Sequence, residues 1–345
     1  EKGYDVSIAT SFSSNNNNFK KLKIKEYSLN LDRGTLNPLK FFLNLFEIIK
    51  IYRKVKPDIV HLVTIKPVIL GCLAGLFYSK KPLLIASISG LGYVFTAEDL
   101  FSIFRKKLII TLYKIAFLYS KLIVIFQNKD DLNLICKETD LKRENTFLIN
   151  GSGVDMNLYN VSHSKNKKPK IIFPARLLIS KGIREFLYAS KKLSYLGDFI
   201  IVGQFDKNHK DCIEERFLKT WIKKGYIEYW GFSDAMEKIM SKASIVVLPS
   251  YREGLPKVLC EAAACGKPVV TTDVPGCRDA IIDGETGILV PAKDPDALAE
   301  GIRKILTDDK LFNSMSKEAR NFAENKFDIK KIISIHLNIY ERKFY

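Results

Sequence analysis

Short β-branched runs alternate with longer amphipathic segments along the whole of this 345-residue chain. Strands joined by crossover helices into parallel sheets leave that pattern. The runs predict strands at Asp5–Thr10, Asp58–Val63, Leu83–Ser87, Leu122–Phe126 and Thr146–Ile149 in the first half. In the second half they predict strands at Lys170–Pro174, Phe199–Val202, Ile227–Trp230, Ile245–Leu248, Val269–Thr271 and Ile288–Val290. The length exceeds what one hydrophobic core usually serves. Asn157–Lys168 lacks apolar periodicity and reads as a solvated linker. The expected division is therefore an α/β domain over 1–156, a linker over 157–168, a second α/β domain over 169–327, and a helical tail over 328–345 able to dock on either domain, the first included. Asn15–Asn18 reads as a local low-complexity loop. Two doubly wound domains in tandem place a cleft between the carboxyl ends of their sheets, where open α/β folds bind ligands.

The charge narrows the partners. Lys and Arg outnumber Asp and Glu by 55 to 38, a formal charge of +17, and residues 1–150 hold 23 basic against 13 acidic side chains, an excess of 10. Nucleic acid, anionic lipid and phosphorylated small molecules are the candidates. No helix-turn-helix, RNP-like or zinc pattern supports nucleic acid. In the segment 101–119 a helix would gather Phe104, Leu108, Leu112 and Ile115, with Arg105, Lys106 and Lys107 near one end. Such a helix suits a membrane interface, and equally a core position with a solvated basic end; Leu39–Lys56, with Phe42, Phe46 and Ile49, leaves the same two readings. No apolar run reaches eighteen residues, since Lys107 and Lys114 interrupt the most apolar stretch, which argues against a membrane span. Six cysteines without a C-x-x-C pair and four scattered histidines point to a reducing compartment and to no metal site. The start, Glu1-Lys-Gly-Tyr4, runs into a strand with neither an initiator Met nor a signal peptide's apolar core.

Two segments carry chemistry. After the strand ending at Leu248 comes Pro249-Ser-Tyr-Arg-Glu-Gly-Leu-Pro-Lys-Val-Leu-Cys-Glu261, a Gly/Pro-containing loop followed by a helix expected to begin near Pro256. A helix N-terminus preceded by glycine is an anion site, so Gly254, Leu255, Pro256, Lys257 and Val258 can cradle a diphosphate without a metal. Glu253 and Glu261 can address different parts of one ligand; in the alternative, Glu253 caps the helix electrostatically and Glu261 pairs with a basic neighbour. After the strand ending at Pro174, the loop Ala175–Gly182 supplies Arg176 and Lys181. A guanidinium fork with an ammonium is a clamp for a departing diphosphate, although a basic pair alone in a loop is usually solvated.

The ordered set Arg176…Lys181-Gly182, Glu253-x7-Glu261, Gly266-Lys-Pro-Val-Val and Gly284-x-x-Gly287 resembles the retaining family 4 glycosyltransferases, of GT-B fold with two Rossmann-like domains facing across a cleft. Pro57-Asp-Ile-Val-His-Leu, Ser89-Gly-Leu-Gly-Tyr-Val-Phe and Asn150-Gly-Ser-Gly-Val-Asp155 look like the branch that builds capsule, O-antigen and glycan-carrier lipids. The resemblance implies a nucleoside diphosphate sugar as donor, usually UDP-linked, and no metal or other cofactor. It implies that Arg176 and Lys181 bind the diphosphate and assist its departure. By the same resemblance Glu253 contacts the transferred sugar, Glu261 holds the ribose, and Gly254 to Val258 give backbone donors. Phe232 would flank the base or else be a core aromatic. Ser89, Gly90 and Gly92 would line the acceptor side. The implied acceptor is a polyprenyl-diphosphate glycan, met by a cytoplasmic protein peripheral at the inner face of the plasma membrane, with an anionic lipid surface attracting the basic first half.

The chain departs from the pattern twice. Where relatives place a histidine, the loop reads Ser87-Ile-Ser-Gly-Leu-Gly, leaving that role unassigned; His61, ending a buried strand, reads as a satisfied core residue. The family's usual first strand, Gly-containing loop and first helix would precede Gly3-Tyr-Asp-Val6. The rival reading is a nucleotide-sugar epimerase of the same fold, which needs additional acid and base groups in the cleft.

Overall fold

The computed structural model describes residues 2–11, 22, 24–31, 37–92, 95, 100–161 and 168–342. The loop Asn15–Asn18, the residues Tyr93 and Val94, and positions 162–167 of the expected linker lie outside the described residues. All eleven predicted strands form, ten of them within one residue at either end, while the first, β1, begins later, at Ser7 (Ser7–Thr10). A further strand, β2 (Lys25–Ser28), was not expected. Its sequence Lys-Glu-Tyr-Ser is too polar to stand out as a strand, yet it pairs in parallel with β1 in a two-stranded sheet.

Beside it lies a four-stranded parallel sheet in the order β3 (Ile59–Val63), β4 (Leu83–Ile88), β5 (Leu122–Phe126), β6 (Thr146–Leu148). Every residue of β5, Leu-Ile-Val-Ile-Phe, is buried, as a strand covered on both faces requires. Among the described residues, the helices of this half are α1 (Pro38–Val55), α2 (Ile65–Leu76), α3 (Leu100–Ala116) and α4 (Lys129–Glu138). The second half is a six-stranded parallel sheet of β7 (Lys170–Pro174), β8 (Asp198–Val202), β9 (Glu228–Gly231), β10 (Ile245–Leu248), β11 (Val269–Thr272) and β12 (Gly287–Val290). Its spatial order, β12-β11-β10-β7-β8-β9, is the Rossmann order. The helices here are α5 (Ile183–Lys192), α6 (Glu215–Lys223), α7 (Met236–Lys242), α8 (Lys257–Ala264), α9 (Pro295–Thr307), α10 (Asp309–Lys326) and α11 (Ile329–Tyr340).

Helix α11 lies against the first sheet: Ile332 and Ile339 pack with Leu83, Ile85, Ile123, Ile125 and Ile149. The chain therefore crosses between the halves twice, and the crossings are bonded to one another. Val154 N–H donates to the Phe327 carbonyl at 2.7 Å, and Ile329 N–H to the Val154 carbonyl at 3.0 Å.

Both basic, aromatic helices carry two apolar faces. On α3, Ser102, Ile110, Tyr113 and Ala116 are buried, whereas Phe101 and Phe104 are 61% and 62% exposed. The expected grouping of Phe104, Leu108, Leu112 and Ile115 is not the core face; Phe104 and Ile115 point outward. On α1, Ile49 is buried and Phe42 and Phe46 are exposed. A core helix with only its basic end in solvent accounts for the first face of each and not for the second. Among the described residues no helix is long and apolar enough to cross a membrane.

His61 is satisfied within the first sheet, in line with the sequence reading. Its Nε2 lies 2.6 Å from Ser87 Oγ and its Nδ1 2.8 Å from the Tyr340 hydroxyl of α11, with the His336 ring tilted against it, centroids 5.4 Å apart. Burial, reinforced by His336, lowers its pKa from 6.5 to about 4. The unfolded chain takes up a proton below 6.5 that the folded chain refuses until about 4. This contribution to stability is thus complete above pH 6.5 and lost as pH falls toward 4, by up to about 3 kcal/mol at about 1.4 kcal/mol per pH unit. Urea unfolding at a series of pH values should show that loss in the wild type and a shallower one in His61→Asn.

Candidate active site

In the second sheet the strand order reverses between β7 and β10, which pair directly through Ile171 and Ile245. Chains leaving adjacent strands in opposite directions open a crevice at their carboxyl ends. The loop after β7 runs through a 3₁₀ turn at Ile179–Lys181 into Gly182, whose φ of +77° suits glycine. A side chain there would collide with the carbonyl of Pro249, the first residue after β10. The two loops are thus held face to face, and the Tyr251 N–H donates to the Ser180 carbonyl at 2.9 Å.

That apposition brings Lys181 and Glu253, 72 positions apart, into an ion pair with both side chains largely buried. Ser250 Oγ donates to the same Glu253 oxygen at 2.7 Å. Glu253 therefore faces the loop after β7 and is not spent on capping α8. Arg176 does not join this pair. Its guanidinium meets Asp206 at 2.8 Å, across an open depression of ≈ 580 Å³ lined by Arg176 and residues 204–208 after β8. The expected two-cation clamp is thus divided between two carboxylates.

Helix α8 begins at Lys257, with Pro256 as its N-cap, one residue later than expected. Lys257 and Val258 stand in its first turn, where backbone N–H groups have no helical acceptor. Leu255 is buried and packs toward Gly151 of the first half. Glu261, 5% exposed, accepts from the Tyr159 hydroxyl at 2.9 Å and lies 3.5 Å from Lys257 Nζ. Burial raises its pKa, and the bonds to Tyr159 and Lys257 offset that rise only in part. The basic-neighbour alternative is hence present in the geometry, with a tyrosine from the expected linker added to it. Phe232, just beyond β9, is 60% exposed, which overturns its core reading.

On the opposite wall, Ser89 and Gly90 touch Gly254 through backbone alone. A side chain on Gly254 would overlap the Ser89 carbonyl, and one on Gly90 would lie 2.9 Å from Gly254 Cα. Gly92 has a positive φ and open space beside it. Sequence reasoning overlooked the rest of this junction: Asn128 Nδ2 donates to the Gly254 carbonyl at 2.8 Å, Arg252 pairs with Asp131, and Arg278 pairs with Asp130 at 3.0 Å. Asn128 followed by Asp130 and Asp131, after the apolar run 122–126, was the available signal of a capped helix start at the carboxyl edge. Among the described residues no group of three His, Cys, Asp or Glu side chains is arranged to hold a metal ion.

The family described as "Glycosyl transferases group 1" matches residues 157–322, and "Glycosyl transferase 4-like" matches residues 1–128. An N,N'-diacetylbacillosaminyl-diphospho-undecaprenol alpha-1,3-N-acetylgalactosaminyltransferase of Campylobacter jejuni is 28% identical over 334 residues, 93% of this chain and 86% of that protein. A UDP-Gal:alpha-D-GlcNAc-diphosphoundecaprenol alpha-1,3-galactosyltransferase of Escherichia coli is 25% identical over 318 residues, 88% of this chain and 80% of its own. In fold, the sucrose-phosphate synthase of Thermosynechococcus elongatus superposes with a TM-score of 0.82 at 21% identity, covering 98% of this chain and 88% of the other. The two family matches span both halves and meet the Rossmann-like sheets and switch-point site described above: the chain belongs to the family 4 glycosyltransferases of GT-B fold.

Proposed function

We propose that the protein is a retaining, metal-independent transferase that moves a sugar from a nucleoside diphosphate, uridine diphosphate in particular, to a polyprenyl-diphosphate-linked glycan in bacterial surface-polysaccharide synthesis. The observation that carries this reading is the Lys181–Glu253 pair at the switch point, with Glu253 in the loop that leads into the N-terminus of α8. The names of the two relatives, both acting on diphospho-undecaprenol-linked sugars and one using UDP-galactose, support the acceptor and donor classes.

In this reading the diphosphate lies against the first-turn amides of α8 with Lys181 beside it, and Arg176 turns part of its fork from Asp206 to phosphate oxygens. These charges are fixed where negative charge grows as the anomeric carbon–oxygen bond breaks. Glu261 accepts from the ribose hydroxyls, Phe232 flanks the base, and Glu253 contacts the transferred sugar. The acceptor hydroxyl, entering past Ser89, Gly90 and Gly92, bonds to the anomeric carbon on the face that the diphosphate leaves. Its proton passes to the departing phosphate oxygen, so configuration is retained without a protein nucleophile. The exposed Phe42, Phe46, Phe101 and Phe104, set among lysines and arginines, suit peripheral attachment to an anionic leaflet at the inner face of the plasma membrane.

Incubating the chain with a panel of uridine and guanosine diphosphate sugars and membrane extract should move label from one donor into the lipid phase. Lys181→Ala and Glu253→Ala should each lower that rate by about 100-fold or more. Epimerised nucleotide sugar without a lipid product would defeat the proposal, as would full activity in both variants.

Glu261 supplies a pH test. Its raised pKa means that nucleotide affinity holds while the carboxylate is charged and weakens as pH falls through that pKa. Tyr159→Phe removes a bond that favours the charged form, so the fall in affinity, followed by calorimetric titration with the nucleotide, should move to higher pH.

A further inference from the structure

The turn bearing Glu253 is gripped from the other half of the molecule. Asn128 and Asp131, at the start of α4, are both 0% exposed. Asn128 Oδ1 accepts from the Asp131 N–H at 2.7 Å, and its Nδ2 donates to Asp131 Oδ2 at 3.1 Å as well as to the Gly254 carbonyl. The other oxygen of Asp131 accepts from the guanidinium of Arg252, the residue before Glu253. A buried carboxylate thus finds its counter-ion across the interdomain cleft. On the same side Ser89 and Gly90 abut Gly254, and Arg278 bridges Asp130 and Asp273 at the rim. Separating the halves would strip Asp131 of its charge partner and Gly254 of its donor together, so these contacts form or fail as a unit.

We propose that Asn128, Asp131 and Arg252 are positioning residues, which set the Glu253–Gly254 turn against the acceptor loop Ser89–Gly90 only when the cleft is shut. Donor-loop geometry and domain closure are then a single state. This rests on the transferase reading and adds to it: second-domain groups alone hold the nucleotide, whereas first-domain groups place the carboxylate beside the sugar.

The test compares wild type with Arg252→Ala, Arg252→Lys, Asn128→Ala and Asp131→Asn. It reads kcat for sugar transfer, the dissociation constant of UDP or GDP (whichever the wild type binds), and the radius of gyration by solution scattering with that nucleotide present. The expected result is a fall in kcat of roughly 100-fold in Arg252→Ala, the cost of a misplaced reacting group. Nucleotide affinity should be retained, the radius of gyration should be larger, and activity should be partly recovered in Arg252→Lys. Asn128→Ala, which keeps every charge, covers the case in which Asp131→Asn fails to fold. Unchanged kcat and radius, or nucleotide affinity falling in step with kcat, would overturn the positioning role. If the wild type transfers no sugar, the transferase reading fails, and the scattering comparison still decides whether these residues hold the halves together.

Discussion

Two adjacent strands whose chains depart in opposite directions govern this molecule. Because β7 and β10 are largely buried and have a paired strand on either edge, neither can carry polar chemistry within the sheet, and the loops beyond them inherit it. Those loops are pressed together where Gly182 meets the Pro249 carbonyl, so side chains far apart in sequence converge on a volume that backbone geometry has already shaped. Lys181 and Glu253 are the product of that convergence. The helix after β10 then presents its positive end to the same crevice, and the loop after β8 brings Asp206 against Arg176 at its margin.

Much of this was legible in the chain itself, for physical reasons. Fully buried parallel strands need unbroken apolar runs, so Leu122–Phe126 and Ile245–Leu248 stand out, while β2, a four-residue strand of mostly polar side chains, does not. Loop residues such as Lys181 and Glu253 were legible because their positions relative to strand ends are set by topology. Their partners were not. That Arg176 rests on Asp206, or that Tyr159 reaches Glu261 over 102 positions, depends on how separate loops pack. Helical periodicity likewise finds apolar faces without saying which is covered: Phe104, Leu108, Leu112 and Ile115 share a face whose ends are exposed, while Ile110 and Tyr113 face the core.

The junction between the halves unites these themes. At its centre are backbone contacts at Gly90 and Gly254, positions that exclude side chains and so permit close approach without dictating it. Charge pairs of unequal burial surround them: Arg252 with the enclosed Asp131, and Arg278 with the half-exposed Asp130. The enclosed pair has the stricter geometric demand, since a carboxylate without water tolerates little displacement of its counter-ion, whereas the outer pair is screened and adaptable.

The paired crossings at Val154 and at Phe327–Ile329 bear on how such a junction can open and shut repeatedly without losing register. A single linker would act as a ball joint, leaving three rotations free. Two segments fastened to each other behave as a leaf flexure, compliant to bending across the line they share and stiff to torsion and sliding. The closure proposed above would then follow one arc, with Gly90 and Gly254 meeting at its end.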